Sequence, residues 1–494
     1  MDIQEWEQRH IDAFYSVKEA IPYLEGMFVA YNSNIDAIKH LTEADILRLT
    51  GLFNEAEVLE RIEEYPREIK DPLDFMARLL ISMREGKAAE IPNHTTDIHE
   101  WLKSNLGFDY ARMGGQAGII SNTLACLGLR KVVAYVPWLS KEQSEYFEDS
   151  DNLWHPKVED GKVFLRHMKE AFKPDMGSKV NWIIEYSKGL QVNCNRSFVV
   201  QRDNRLIISS RPKWLRLDMD EEIYEQLDVI FPIDGAMLSG YQIIKEEYED
   251  GSTYKQYVTS SVQVIEKLKS LNPDLRIHVE LTSIQNRVIR KAILADIVAK
   301  HVHSLGLDTV EVANALNVLG HEELSYSVIK KEENAITSLY QGAVQLLKDL
   351  SLERVHVHSL GFYICVLEKD HPLSLKDHRD FLLFSSTLAA AKAFSGTIGN
   401  LKDVEIGLEV PISSSGIKGL DEFKTYCVSR NLCTAEEFDY GYLYGPDHDA
   451  IIVPSKIVDK PKATVGIGDA ISAGAFTAML AKMKQNKAIN VSSV

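Results

Sequence analysis

An α/β fold is predicted: a large domain whose mainly parallel sheet is flanked by helices, and a smaller α/β lid. Two observations carry this. Short apolar runs of β type recur between longer helical patterns, at residues 26–30, 131–136, 229–232, 276–281, 354–358 and 451–454, and such alternation builds parallel sheets. Residues 40–110 differ, being rich in charged helical stretches such as 54–64 and 72–84, while residues 180–210 read as several strands (W-I-I-E-Y, S-F-V-V, R-L-I-I-S). These deviating stretches suit a lid of residues 39–111 and 180–210 over a large domain of residues 1–38, 112–179 and 211–494.

A chain of 494 residues, 45% hydrophobic and 26% charged, has enough material for a well-buried core and a second lobe. Its net charge of −17 opposes general nucleic-acid binding, which needs a basic face, so an anionic ligand must meet a local positive patch. Five cysteines, at 126, 194, 365, 427 and 433, lack paired metal spacing and imply reduced thiols in a cytoplasmic setting. The acidic start M-D-I-Q-E-W-E resembles no signal peptide, and no run of about 18 apolar residues is present to span a bilayer. A protein without membrane or nucleic-acid partners, monomeric or weakly homo-oligomeric, is expected.

Residues 464–476, T-V-G-I-G-D-A-I-S-A-G-A-F, place one carboxylate, Asp469, at a glycine-rich turn running into a helix of small residues. Gly466 and Gly468 permit backbone angles closed to other residues, and the unpaired N–H groups opening the helix point at the occupant of the turn. Phosphate is the natural occupant. An acid there repels it unless the acid takes a proton from the hydroxyl attacking phosphorus. Asp469 therefore reads as a catalytic base, with helix capping as the plainer alternative. The Walker pattern is missing and the G-x-G-x-x-G dinucleotide pattern is incomplete.

Tyr31-Asn32-Ser33-Asn34-Ile35-Asp36 follows the first strand, on the ligand side of an open sheet; its amides and acid suit sugar hydroxyls or, equally, an Asx turn. Gly114-Gly115-Gln116-Ala117-Gly118 offers exposed amides to a polar ligand, or simply a tight turn. His278-Val279-Glu280 ends one strand and Asp308-Thr309-Val310-Glu311 a later strand-to-helix junction, which brings acids to one sheet edge where Mg²⁺ on a nucleotide wants carboxylates. Arg202, Arg205, Arg211, Lys213 and Arg216 form a basic stretch interrupted only by Asp203, suited to phosphate or to solvent. His356 and His358 alternate on one strand and, lacking partner ligands, read as core or surface histidines rather than a metal site.

Taken in order, Y-N-S-N-I-D, G-G-Q-A-G, H-V-E, D-T-V-E and V-G-I-G-D-A-I-S-A-G-A-F make the chain, over about residues 25–480, similar to the archaeal ADP-dependent sugar kinases, glucokinase and 6-phosphofructokinase. The resemblance implies a ribokinase-like large domain closing against a smaller lid, and transfer of the β-phosphoryl of Mg·ADP to a sugar hydroxyl with release of AMP. It makes Asp469 the base, and Gly466 and Gly468 the anion hole. Asn34, Asp36, Gly115 and Gln116 would hold the sugar, and Glu280 and Glu311 would organise Mg²⁺. Asp308 stands where the family's N-x-x-E has Asn, a departure that alters the local charge. Arg202 and Arg205 resemble lid arginines that reach phosphate of ADP or of the sugar. Glu90 resembles the acid that glucokinases use on a glucose hydroxyl. Asn181 replaces their usual His, and Lys173 and Lys179 are placed to meet a 6-phosphate. The expectation is activity on both fructose 6-phosphate and glucose, with the former preferred. An ATP-dependent ribokinase-type kinase, or a non-catalytic sugar or nucleotide sensor, are the alternatives, because no residue pattern counts phosphates.

Overall fold

The computed structural model describes residues 2–95, 97–193, 197–330 and 335–492. Its main layer is an 11-stranded sheet, ordered Tyr442–Tyr444, His448–Pro454, Phe362–Glu368, Arg354–Ser359, Ser304–Asp308, Arg276–Glu280, Gly235–Ser239, Met27–Tyr31, Val132–Tyr135, Leu153–Glu159, Lys162–His167. Neighbours are parallel from Arg354–Ser359 through to Leu153–Glu159, and antiparallel strands close both edges. The interior strand Met27–Tyr31, M-F-V-A-Y, is buried at every position, so both faces are covered, which is why it reads as a continuous apolar run. Helices Leu375–Ser395 and Ile467–Ser492 lie against each other, and the second also against Arg276–Glu280 and Arg354–Ser359. Ala470, Ala473 and Ala475, all buried, permit that close approach.

A second, 5-stranded sheet runs Ala89–Asn93, Asn204–Ser210, Val180–Tyr186, Asn34–His40, Tyr110–Gly114. Side chains alternate across a strand with period two, and here the alternation separates packing from chemistry. Ile35, Ala37, Val180, Trp182, Ile184, Leu206 and Ile208 join a core with Ile62, Phe75 and Leu79 of helices Glu55–Glu64 and Pro72–Glu85. The intervening Asn34, Asp36, Asn181, Arg205 and Ser209 face a cleft toward the large sheet. Both helices start as their sequence indicates: Asn54 accepts from Ala56 N, and Asp71 caps a helix that has Pro72 at its first position.

Two expectations are revised. Residues 229–232 form no strand; they lie in and after the 3₁₀ turn Leu227–Ile230, because Pro232 has no N–H for a ladder, and the strand begins at Gly235. The strand-to-helix junction expected at residues 308–311 is present, between strand Ser304–Asp308, whose S-L-G-L-D is too short and glycine-broken to stand out as an apolar run, and helix Thr309–Val318. The chain passes from the large sheet to the smaller one between Tyr31 and Asn34, so residues 34–38 and 112–114, expected with the large domain, pair in the smaller sheet. Among the described residues, no helix is long and apolar enough to cross a membrane.

Candidate functional site

A cleft of about 930 Å³ opens between the polar face of the smaller sheet and the carboxyl ends of the parallel strands, where open α/β sheets bind ligands. Its large-domain wall holds Gly466, Gly468, Asp469, Glu280 and Glu311. Asp469 is the third residue of helix Ile467–Ser492, past the capping position, so the capping alternative does not describe it. Gly466 has φ 71°, and a Cβ there would lie 2.4 Å from Ile119; one on Gly468 would lie 2.7 Å from the His358 ring. Lys392 Nζ, reaching in from helix Leu375–Ser395, donates to the Gly466 carbonyl at 3.1 Å and pins the turn. Burial, then the charge of Glu280, push the Asp469 carboxyl up to about 7, partly offset by Lys392 and His358. A carboxylate so raised is a useful base near neutral pH.

Glu280 is held between two histidines, its Oε2 3.2 Å from His278 Nε2 and its Oε1 3.1 Å from His358 Nε2. Burial raises its pKa, but the two histidine hydrogen bonds outweigh that and bring it to about 2. Gly306, on the neighbouring strand, makes the room: a Cβ there would sit 2.0 Å from Glu280 Oε2 and 2.8 Å from Ser472 Oγ. Gly306→Ala is therefore expected to displace Glu280, to cost about 1–3 kcal/mol of stability as an overpacked site does, and to lower turnover. Thermal melting and a steady-state assay check both, and unchanged turnover would separate the Glu280 position from activity.

Glu311 and Asp308 form a reciprocal cap at the start of helix Thr309–Val318: Glu311 N donates to Asp308 Oδ1 and Asp308 N to Glu311 Oε2, each 2.8 Å. The acid at 308 thus does the capping work an Asn would do, with an added charge. Burial, then Asp308, Glu280 and Asp469, push Glu311 well above the carboxylate range. Among the described residues no three acids, histidines or thiols are grouped to ligate a metal, but the mutual repulsion of these acids in a low-dielectric corner is a charge that a hard divalent cation would relieve.

The opposite end of the cleft is a network of amides around one acid and one amine. Asn34 Nδ2 donates to Asp36 Oδ1 at 2.7 Å, and Lys179 Nζ reaches Asn32 Oδ1 and Asn34 Oδ1 at 3.2 and 3.3 Å. Asn32 and Gln242 both donate to Gln116 Oε1, at 2.9 and 3.0 Å. Apart from the Asn34–Asp36 bond along one strand, these contacts join segments far apart in the chain instead of closing a local turn. Burial lifts Asp36 to about 6 against Arg112, Asn34 and Lys179, and burial with nearby Arg211 lowers Lys179 to about 8. Gly115 has φ 73°, and its missing Cβ would meet the Asn32 carbonyl at 2.8 Å, so here tight turn and ligand wall are one feature. Glu90 and Asn181 line the same end; Asn181 Oδ1 accepts from Ser210 N, and Arg211 lies 3.8 Å from Glu90. Arg205 crosses the cleft from the smaller sheet to Thr464 Oγ1, 3.3 Å away.

Two expected residues are elsewhere. Lys173 Nζ is tied to Asp220 at 2.9 Å and the Pro137 carbonyl at 3.0 Å, in the loop beyond the edge strand Lys162–His167, and does not line the cleft. Arg202 precedes strand Asn204–Ser210, exposed beside Gly86, and does not line the cleft, although Arg205, three residues on, does. Arg211, just past the other end of that strand, lines the cleft as well. His356 is a fully buried core histidine, as expected, whereas His358 belongs to the site: the hydrogen bond to Glu280 and the charges of Glu280, Asp308 and Asp469 raise its pKa against burial. The alternation of residues 356 and 358 hinted at a shared face, but nothing local marked Lys392 or Gly306.

Residues 25–478 match the model of the ADP-specific phosphofructokinase/glucokinase conserved region. The ADP-specific phosphofructokinase of Methanosarcina acetivorans is 74% identical over 98% of this chain and 99% of its own length. Among solved structures, the last common ancestor of ADP-dependent phosphofructokinases from Methanosarcinales is 64% identical, with a TM-score of 0.88 over 98% of this chain and 99% of that one. An ADP-dependent kinase in complex with fructose 6-phosphate and ADPβS is 62% identical, with a TM-score of 0.87 and the same coverage. With the family model spanning most of the sequence and a relative this similar along its whole length, the chain belongs to the ADP-specific phosphofructokinase/glucokinase family.

Proposed function

We propose that the protein transfers the β-phosphoryl group of ADP to fructose 6-phosphate, giving fructose 1,6-bisphosphate and AMP, and less readily to glucose, giving glucose 6-phosphate. The observation that carries this reading is one cleft with Asp469 beside an anion-binding turn at one end and the Asn34–Asp36–Lys179 network at the other. Membership of a family that includes both phosphofructokinases and glucokinases supports the substrate pair, as does the similar kinase crystallised with fructose 6-phosphate. Glu90 supports the glucose arm.

Asp469 accepts the proton of the attacking sugar hydroxyl. The amides opening helix Ile467–Ser492, around Gly466 and Gly468, face the negative charge on the transferred group, and Arg205 adds a cation from the opposite wall. Asn34, Asp36, Gly115 and Gln116 orient the sugar, while Lys179 and Arg211 meet its 6-phosphate. Glu280 and Glu311 would hold Mg²⁺, directly or through water, and the ion would supply neutralisation of the diphosphate charge. The smaller domain, residues 39–111 and 180–210 with the adjoining strand residues, closes as a lid and excludes water that would compete as acceptor. The enzyme works in the cytoplasm in a modified glycolysis, as a monomer or weak homo-oligomer. Its described cysteines are all free and buried, in keeping with a reducing compartment.

Steady-state assays with Mg·ADP and Mg·ATP against fructose 6-phosphate and glucose test the proposal. Turnover with ADP and both sugars, faster with fructose 6-phosphate, is expected. No turnover of fructose 6-phosphate with ADP would refute the main claim, preference for ATP would refute the donor, and binding without turnover would make the protein a sensor.

A further inference from the structure

Arg354 is 1% exposed, forms no salt bridge among the described residues, and leaves Nε and Nη2 without hydrogen-bond partners. A buried cation without an acid beside it is costly, so what it touches matters. Its Nη1 donates to Ser304 Oγ at 2.9 Å, and Ser304 Oγ lies 2.9 Å from His278 Nδ1. Arg354, Ser304 and His278 are direct lateral neighbours on three adjacent parallel strands, so the register itself lines them up. From His278 the chain continues through Nε2 to Glu280 Oε2 and from Glu280 Oε1 to His358, at the cleft.

The proton inventory of this chain is directional. A guanidinium only donates, so Arg354 fills a lone pair of the Ser304 oxygen. The hydroxyl proton then has one acceptor within hydrogen-bond reach among the described residues, His278 Nδ1. A neutral imidazole that accepts at Nδ1 carries its proton on Nε2, the edge facing Glu280. The His278 ring also stacks on Phe476 of the Asp469 helix, with centroids 5.0 Å apart, which restrains the plane of the ring but does not distinguish its two edges. We infer that Ser304 and Arg354 are positioning residues of the active site: Arg354 turns the Ser304 hydroxyl proton toward His278 Nδ1, and that bond holds the His278 ring so that Nε2–H, which the Glu280 carboxylate also requires, donates to Glu280 and fixes the carboxylate in the cleft. The inference deepens the reading of Glu280 as the acid that organises a divalent cation, and rests on it for its functional consequence. Partners of this kind, one shell behind a ligand, typically change metal affinity or activity about 10–100-fold when removed.

Ring-nitrogen NMR on ¹⁵N-histidine-labelled protein reads the tautomer without turnover, and Mn²⁺ titration followed by electron paramagnetic resonance reads the consequence. Wild type should show His278 with Nδ1 bare and Nε2 protonated. Ser304→Ala should leave Nε2 protonated, move the Nδ1 resonance to that of a nitrogen without a hydrogen bond, and weaken Mn²⁺ binding about tenfold or more; Ser304→Thr, which keeps the hydroxyl, should restore both. Arg354→Met should move the Nδ1 resonance in the same direction as Ser304→Ala, and the Ser304 pair decides the matter if that variant fails to fold. A wild-type His278 protonated on Nδ1, or an Nδ1 resonance unmoved by Ser304→Ala, would overturn the inference. Mn²⁺ affinity unmoved by Glu280→Gln would instead strike the cation reading, with the ring-nitrogen result alone deciding the role of Ser304.

Discussion

Replacing Asp469 with Asn lowers turnover about 10²–10⁴-fold, the usual worth of a positioned general base, while ADP and sugar bind nearly as in wild type. Asn has the shape of Asp but does not take a proton from the acceptor hydroxyl. The wild-type rate has a matching pH signature. The base works ionised, and burial with the charge of Glu280 holds its pKa at about 7, so turnover rises through neutral pH and is lost below it. In Asp469→Asn that rise disappears. Stability moves the other way. A carboxyl whose folded pKa is raised from 3.8 contributes stability that is present below its unfolded pKa and lost as pH climbs through about 7. At pH 8 the Asn variant, relieved of that buried charge, should melt no lower than wild type. Rate profiles across pH 6–9 with parallel melting curves check both, and a variant with near-wild-type turnover would remove Asp469 from the role of base.

The parts of the site legible in the sequence are those whose geometry is local. Asp469 with its glycines, the Asn34–Asp36 strand end and the Gly115–Gln116 turn each sit within a few residues, and period-two alternation along residues 34–40, 180–186 and 204–210 carries polar side chains to one face whatever the tertiary detail. Glu280 was legible as a strand-end acid, but its bond to His358 spans 78 residues and depends on the register of three strands. Gly306 has meaning only once Glu280 and Ser472 are seen on either side of it. Lys173 and Arg202 mark the limit from the other side: a cation near a site in sequence has the right chemistry, yet Lys173 found Asp220 first and Arg202 lies outside the strand, exposed beside Gly86, while Arg205 and Arg211 line the cleft. The strand Ser304–Asp308 showed only through the polar junction that follows it, and the apolar run at 229–232 was misread, since apolar content alone distinguishes neither a five-residue strand from a loop nor a strand from a buried 3₁₀ turn.

Lys392→Met should be the most damaging change outside the residues that line the cleft. Its ammonium does two things there. It pins the Gly466 carbonyl, and it is the main cation offsetting the burial of Asp469. Burial lowers Lys392 to about 8, and the charge of Asp469 works against that fall, so near neutral pH the amine is largely charged and each group supports the ionisation of the other. Methionine matches the aliphatic stem but brings no charge. Asp469 then lies in low dielectric with Glu280 still repelling it, and its pKa must rise further. Each unit of that rise is worth about 1.4 kcal/mol and about tenfold in the ionised fraction below the pKa. A rise of about one to two units makes the rate at pH 7 fall about 5–50-fold, with the profile displaced to alkaline pH so that much of the loss is recovered near pH 9. Lys392→Arg retains the charge and should keep the profile near neutral even if its bulk slows the enzyme. Loss of the Gly466 anchor alone predicts a different outcome, a fall in rate equal at every pH. The ratio of Lys392→Met to wild-type turnover across pH 6–9 therefore separates the two duties, and a pH-independent ratio would confine Lys392 to holding the turn.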